Sequence, residues 1–318
     1  MREYLITEDD SGRRLDRFAG RILSEAPSSF VYKMLRKKNI VLNDKKASGN
    51  EVLAAGDTVR FYLSDETMVK FSKDSARIRD LSYDMPPVEY EDDDIIIVNK
   101  PSGMLSQKSK ADDISLNEIC LSYISHDTSN DSFTPSICNR LDRNTSGLIL
   151  FAKTYKGARA VSEALRDRSI HKYYTAVVSG VLNKDMDLKG SLVKDEKTNK
   201  VTIYDEDKGS NINTKVHPVK TCNDISMIEI QLVTGKTHQI RAHLAHIGHP
   251  LIGDVKYGDK NTNAIYRKLG INSQMLCCTR IVFPNTFSLD KLSGQTVTIS
   301  PPDDFEKVMK WQHGNLGD

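Results

Sequence analysis

With 318 residues, 38% hydrophobic and 28% charged, the chain has the composition of a soluble globular protein and the length for a small unit beside a larger one. No apolar run approaches the roughly 18–20 residues of a membrane helix, and the start, MREYLITEDDSGRRLD, has no apolar signal core, so a cytoplasmic location is expected. The five cysteines (Cys120, Cys138, Cys222, Cys277, Cys278) form no CxxC pair, which fits reduced thiols and argues against zinc, and a net charge of +2 is too small to imply nucleic acid by itself.

In chain order, RRLDRFAGRIL places Leu15, Phe18, Ile22 and Leu23 at helical spacing. Ser28 or Ser29 is expected to cap a second helix, SFVYKMLRKKN, with Val31, Met34 and Leu35 inward and Arg36, Lys37 and Lys38 at its C-terminal turn, where cations suit the helix dipole. IVLNDKKA reads as a strand and turn, and LAAGDTVRFYL as a turn and strand. Between Arg13 and Lys46 stand ten Lys or Arg against three Asp or Glu. A solvated helix face is the plain explanation of such a run; a surface for a phosphate backbone is the functional one. The first unit is expected to span residues 1–64 and a polar linker ending in DMPP residues 65–87. The second, 88–318, opens on the β-branched run Ile95–Val98, followed by the turn NKPSGM. YTAVVSG, SMIEIQLV, RIVFP and QTVTI read as strands; YKGARAVSEALRDR and THQIRAHLAHIG read as helices. The pattern is mixed α+β, with no regular βαβ repeat.

The segment NRLDRNTSGLILFAKT, residues 139–154, sets one carboxylate, Asp142, between Arg140 and Arg143 just before an apolar run. Taken alone, Asp142 fits a turn acid or an ion-pair partner as well as a functional one. The histidines His238, His243, His246 and His249 lack the HExxH arrangement and a nearby ligand cluster, so helix packing is expected of them rather than metal.

Two resemblances sharpen this reading. The two basic helices, IVLNDKK and AGDTV resemble the small RNA-binding domain of ribosomal-protein-S-four type, which implies RNA contact by Arg14, Arg17, Lys33, Arg36, Lys37 and Lys38. NKPSGML, RLDRNTSGLILFAKT, KYYTAVVSG and TGKTHQIRAHLAHIGHPLIGDVKYG, in this order, resemble the RluA family of pseudouridine synthases across residues 88–311. Within the family the combination looks most like the RluC and RluD types, which act on large-subunit ribosomal RNA. The resemblance implies a mixed, largely antiparallel catalytic domain that isomerises uridine in structured RNA to pseudouridine. No redox change occurs and no cofactor is required, and neither a Walker loop nor a GxGxxG fingerprint is present. It implies no membrane and no required protein partner.

Residue by residue, Asp142 matches the catalytic aspartate, Arg241 its basic partner and Tyr174 the active-site tyrosine. Whether the carboxylate attacks C1′, adds to the base or removes a sugar proton stays open at this level. Tyr174 is expected to stack on the uracil with its hydroxyl near C5, while strand alternation turns Tyr173 away. Leu276 is expected to wall the base, Arg140 to fill the space a flipped uridine leaves, and Lys236 to be a second basic candidate where relatives more often carry arginine. Arg143 is structural or a phosphate contact. The chain departs from the family at Asn139 (commonly His), Asn144 (commonly Asp) and Leu276–Cys278 (commonly LHA), which touches target choice more than activity. Two rivals remain: a non-catalytic RNA-binding ribosome-assembly factor, and a glycosidase-like hydrolase, which needs a second carboxylate.

Overall fold

Leu15, Phe18, Ala19 and Ile22 fall on one face at helical spacing, and that face decides how the N-terminal region folds. The computed structural model describes residues 1–71, 84–110, 112–124 and 133–311. The region begins with β1 (Arg2–Leu5), α1 (Leu15–Ile22) and α2 (Ser28–Arg36). It continues through β2 (Ile40–Leu42), β3 (Lys45–Lys46), β4 (Thr58–Phe61) and α3 (Asp65–Phe71). The strands form an antiparallel sheet in the order β1-β4-β2-β3. The inward faces of α1 and α2 close on it, burying Phe18, Leu35, Val59 and Phe61 in one cluster.

Two expectations need correction here, and one strand was not expected. Neither Ser28 nor Ser29 caps α2: Pro27 holds the cap position in extended geometry and Ser28 is already the first helical residue. The stretch expected to be linker from residue 65 begins as α3, because Met68 is fully buried in the N-terminal cluster and draws its turn inward. Most of the remaining linker, 72–83, lies outside the described residues. The strand β1, unforeseen, closes one edge of the sheet.

The second region opens with β5 (Val88–Glu91), β6 (Ile95–Lys100), α4 (Leu116–Ile124), β7 (Ser136–Ile137), β8 (Ser146–Ala152) and α5 (Tyr155–Arg166). There follow β9 (His171–Ser179), β10 (Met186–Asp195), β11 (Lys200–Tyr204), β12 (Ser210–Cys222), β13 (Ile225–Leu232) and α6 (Gln239–His246). α7 (Lys260–Arg267), β14 (Leu276–Val282), β15 (Thr296–Thr298) and α8 (Asp304–Lys310) complete it. One eleven-stranded sheet runs β11-β10-β12-β13-β9-β14-β8-β6-β5, with β15 on β14 and β7 on β8. Its pairings are antiparallel except β14 with β8. This is the expected mixed, largely antiparallel α+β architecture.

Every residue of β8 is buried, which explains its unbroken apolar run: Leu148–Ala152 pack in one core with Leu116 and Cys120 of α4 and Ala160 and Val161 of α5. At the head of β8, Gly147 has φ +109°, and a Cβ there would collide with the Cys278 backbone. The parallel join of β8 to β14 therefore requires glycine, and it brings the 139–145 loop beside the start of β14. The N-terminal region meets α5: the Arg13 guanidinium lies 4.0 Å over the Tyr155 ring, and Arg21 donates to Thr134 at 3.0 Å. Among the described residues no helix is long and apolar enough to cross a membrane.

Candidate active site

The loop carrying Asp142 is fixed from below by the turn after β6. Lys100 is fully buried, and its Nζ donates to the carbonyls of Pro101, Met104 and Arg143 at 2.9, 2.9 and 3.0 Å. Burial pulls this amine down to about 8, against the charge of Asp142, and the three carbonyls stand in for lost water. Ser106 Oγ donates to Leu141 O and accepts from Leu141 N, while Arg143 Nε donates to Gly103 O. Asn139, buried, accepts from Leu150 N at 2.8 Å and ties the loop to β8. NKPSGM is thus a turn, as expected, and also the clamp that gives Asp142 one position.

From the other side comes α6. Its first turn is anchored by Gln239, which donates to Asn213 O and Thr214 Oγ1 of β12. Arg241, buried on this helix, forks onto two acids. Its Nε and Nη2 donate to Asp254 at 2.7 and 2.9 Å, and its Nη1 donates to Asp142 Oδ2 at 2.7 Å. Asp254 is fully buried and also accepts from the backbone N–H groups of Lys256 and Tyr257. Burial raises the Asp254 carboxyl, but its bonds to Arg241 and these amides outweigh that, leaving it below the usual carboxylate range. Asp254 therefore aims Arg241, and Arg241 aims Asp142.

A second line of contacts reaches the same oxygen. His238 opens α6 in the left-handed region (φ 52°), with Nε2 3.9 Å from Asp142 Oδ2 and Nδ1 2.9 Å from the Tyr257 hydroxyl. That hydroxyl accepts from Val201 N at 2.9 Å, leaving its own hydrogen for Nδ1. Burial lowers His238, so a neutral ring with hydrogen on Nε2, facing the carboxylate, fits both neighbours. Both contacts to Asp142 fall on Oδ2.

Asp142, Tyr174, Arg241, Arg140, Lys236 and Leu276 all line one cleft of about 850 Å³. Tyr174 is 4% exposed, and its phenol is pushed well above the ordinary value, chiefly by burial, with Cys278 beside it. Tyr173 faces away and stacks under Arg280, whose guanidinium lies 3.9 Å from the ring. Among the described lining residues Asp142 is the one acid, whereas Lys108, Arg140, Arg143, Arg168, Lys194 and Lys236 are all exposed cations. Such a mouth suits a polyanion. Arg14, Arg17, Lys33, Arg36, Lys37 and Lys38 do not line this cleft. They are exposed on the N-terminal region, where Arg14 is engaged by Asp16 and Asn50.

The sequence reading missed Lys108, Arg168, Lys172 and Lys194 on the cleft, and it missed Asp254, Tyr257 and Lys100 beneath it. The signal for Asp254 lay in the quoted motif GDVKYG, as the acid just past α6. The remaining histidines take separate partners: His243 the Thr214 hydroxyl, His246 Asp205, and His249 the Ser179 carbonyl.

Residues 94–246, which hold the Asp142 loop, β9 and α6, match the family model described as RNA pseudouridylate synthase. The chain is 28% identical over 311 residues to ribosomal large subunit pseudouridine synthase C of Vibrio vulnificus, covering 96% of this chain and 94% of that one. It is 29% identical over 293 residues to an uncharacterized RNA pseudouridine synthase of Mycoplasma genitalium, covering 89% of each. In fold it is similar to human RNA pseudouridylate synthase domain containing 1, with a TM-score of 0.51 and 18% identity, covering 72% of this chain and 96% of that one. Matched region, relatives aligned along most of both chains and shared fold all liken the chain to RNA pseudouridine synthases.

Proposed function

We propose that the chain isomerises specific uridines of large-subunit ribosomal RNA, with Asp142 as the catalytic carboxylate. The observation that carries this is the fork of Arg241 between buried Asp254 and Asp142, at 2.7 Å to the latter, in a cleft ringed by cations. With Arg241 and His238 both on Oδ2, Oδ1 is left for the reacting atom. Carboxylates stabilise or attack an electron-poor sugar carbon in glycoside hydrolysis, and the same chemistry serves cleavage of N1–C1′ here. The uracil stays bound, turns, and bonds to C1′ through C5.

The target must leave its stack to enter the cleft. Arg140, exposed beside Asp142, fills the vacated space with a planar guanidinium, and Leu276 and Tyr174 sandwich the base. Lys236 and Arg143 hold phosphates at the mouth. The N-terminal region, read as a module of ribosomal-protein-S-four type, docks structured RNA through Arg17, Lys33, Arg36, Lys37 and Lys38, with Arg14 at its edge. A hydrolase is disfavoured, because its two-carboxylate mechanism lacks a second acid among the described lining residues. Ribosomal RNA as substrate is supported by the Vibrio relative's name, across nearly all of both chains.

The test is direct. Large-subunit ribosomal RNA from cells lacking the protein is incubated with purified wild type or Asp142→Asn, and new pseudouridine is counted. Wild type should add it at defined positions and Asp142→Asn should add none. Equal activity of the two proteins would overturn the assignment of Asp142.

A further inference from the structure

A partnerless donor lies in the wall of the cleft. Asn139 is 9% exposed, and its Oδ1 accepts from Leu150 N at 2.8 Å, which fixes the direction of the amide. The other end, Nδ2, is buried beside the cleft with no hydrogen-bond partner among the described residues. A buried donor left so is rare and calls for an acceptor. Two cations of the same cleft also stand without partners. Arg168 occupies the turn between α5 and β9, in the left-handed region (φ 66°), and Lys172 follows on β9. Among the described residues neither side chain has a hydrogen bond or ion pair. By contrast Lys108 lies 3.9 Å from Glu118, Lys194 pairs with Glu196, and Arg143 donates to Gly103 O. The acid next to Arg168 in sequence, Asp167, is turned onto Ser169 N at 2.9 Å. Cys138, Leu165 and Ile170 complete this stretch of the wall, and burial pushes the Cys138 thiol up to about 12, so it adds no charge.

We propose that Asn139, Arg168 and Lys172 form a subsite for one phosphodiester of the RNA strand, beside the flipped uridine. The proposal rests on reading the cleft as the site of isomerisation. The chemistry of the three side chains is one-sided: an amide N–H, a guanidinium and an ammonium all donate, and none of these groups accepts. The Watson–Crick edge of a base mixes donors with acceptors and would leave a donor of its own unpaired here. A phosphodiester presents acceptors alone. Two positive charges suit it, and the planar guanidinium can hold two of its oxygens at once. Lys172 shares a face of β9 with Tyr174, about 6–7 Å away along the strand, which sets the phosphate next to the bound base. No bond forms or breaks at the subsite; it fixes the backbone while the detached uracil turns.

Equilibrium binding of the full chain to large-subunit ribosomal RNA from cells lacking the protein, across a salt series, tests this without turnover. Asn139→Asp keeps the acceptor for Leu150 N but replaces the donor with a charged acceptor. It should weaken binding about 10- to 150-fold, the range for a hydrogen bond to a charged group. Arg168→Gln combined with Lys172→Gln should weaken binding and flatten the slope of log affinity against log salt by about 0.7–0.9, as for one phosphate. Lys307→Gln, exposed on α8 and not on the cleft, should change neither. Native affinity and slope in Asn139→Asp or in the double variant would overturn the subsite, and so would an equal loss in Lys307→Gln. Flattening by about twice that amount would assign the two cations to separate phosphates and also end the proposal. Denaturant midpoints check that each variant is folded; should Asn139→Asp or the double variant unfold, Arg168→Gln alone, at an exposed position, decides by the same readout. Asp142→Asn separates the two readings: it should bind RNA like wild type and form no pseudouridine. If it is active, the reading of the cleft fails, while the binding comparison still judges the subsite.

Discussion

Replacing Arg241 by lysine keeps a positive charge on α6 but cannot reproduce the fork. In the native site three guanidinium nitrogens serve two acids, at 2.7 and 2.9 Å on Asp254 and 2.7 Å on Asp142. A single ammonium has to choose. Asp254 is fully buried, and leaving it without a cation costs about 3–5 kcal/mol, whereas Asp142 is partly exposed and can turn to water. The lysine should therefore stay on Asp254 and abandon Asp142. Loss of one charge-assisted hydrogen bond is worth about 1.5–3 kcal/mol, so the chemical step should slow roughly 10- to 150-fold. RNA affinity should barely change, because the exposed cations at the mouth are untouched. Arg241→Met removes both contacts and should lower unfolding stability by about 3–5 kcal/mol, read by denaturant titration. Single-turnover pseudouridine formation measures the first effect. A lysine variant with the native rate, or a methionine variant as stable as wild type, would refute the coupling of Asp254 to Asp142 through Arg241.

Other consequences follow from the same geometry. His243 is buried against Thr214 and held down to about 4, so the unfolded chain binds the extra proton first as pH falls. Stability should decline from about pH 6.5 to about pH 4 on this account, and His243→Gln should flatten that decline in denaturant titrations. Asp254 acts lower: its stabilising pairing is complete above its unfolded value near pH 4 and is lost as pH falls through its depressed folded value. Gly147→Ala should cost about 1–3 kcal/mol from its backbone conformation alone and more from the collision with Cys278, measured as a lowered unfolding midpoint. Lys37→Glu with Lys38→Glu should weaken RNA binding and flatten its dependence on salt in filter binding, since fewer counterions are released.

How legible all this was depends on the distance over which each feature is encoded. β8 and α5 were readable because one apolar run and one helical period are local signals. The orientations of Tyr173 and Tyr174 followed from strand alternation. The long hairpin of β10, β11 and β12 went unread because its lysines, threonines and asparagines face solvent on one side and dilute the apolar pattern. α3 was hidden because a single buried residue, Met68, anchors a short polar helix. In the site, the ordered motifs drew attention to Asp142, Tyr174 and Arg241, which share the cleft. Lys108, Arg168 and Lys194 converge there only through tertiary structure, from a loop, the end of α5 and a hairpin tip. Lys100 was missed for another reason: a fully buried lysine defies composition, and its role is visible only once the three carbonyls around it are in place.

The central claim is that Asp142, held by Arg241, makes pseudouridine in large-subunit ribosomal RNA. The most direct measurement maps pseudouridine across total RNA from cells lacking the protein, complemented with wild type or Asp142→Ala. The account predicts that one or more large-subunit positions lose the modification on deletion and regain it with wild type only. Restoration by Asp142→Ala would contradict the catalytic assignment, and loss confined to another RNA would contradict the substrate.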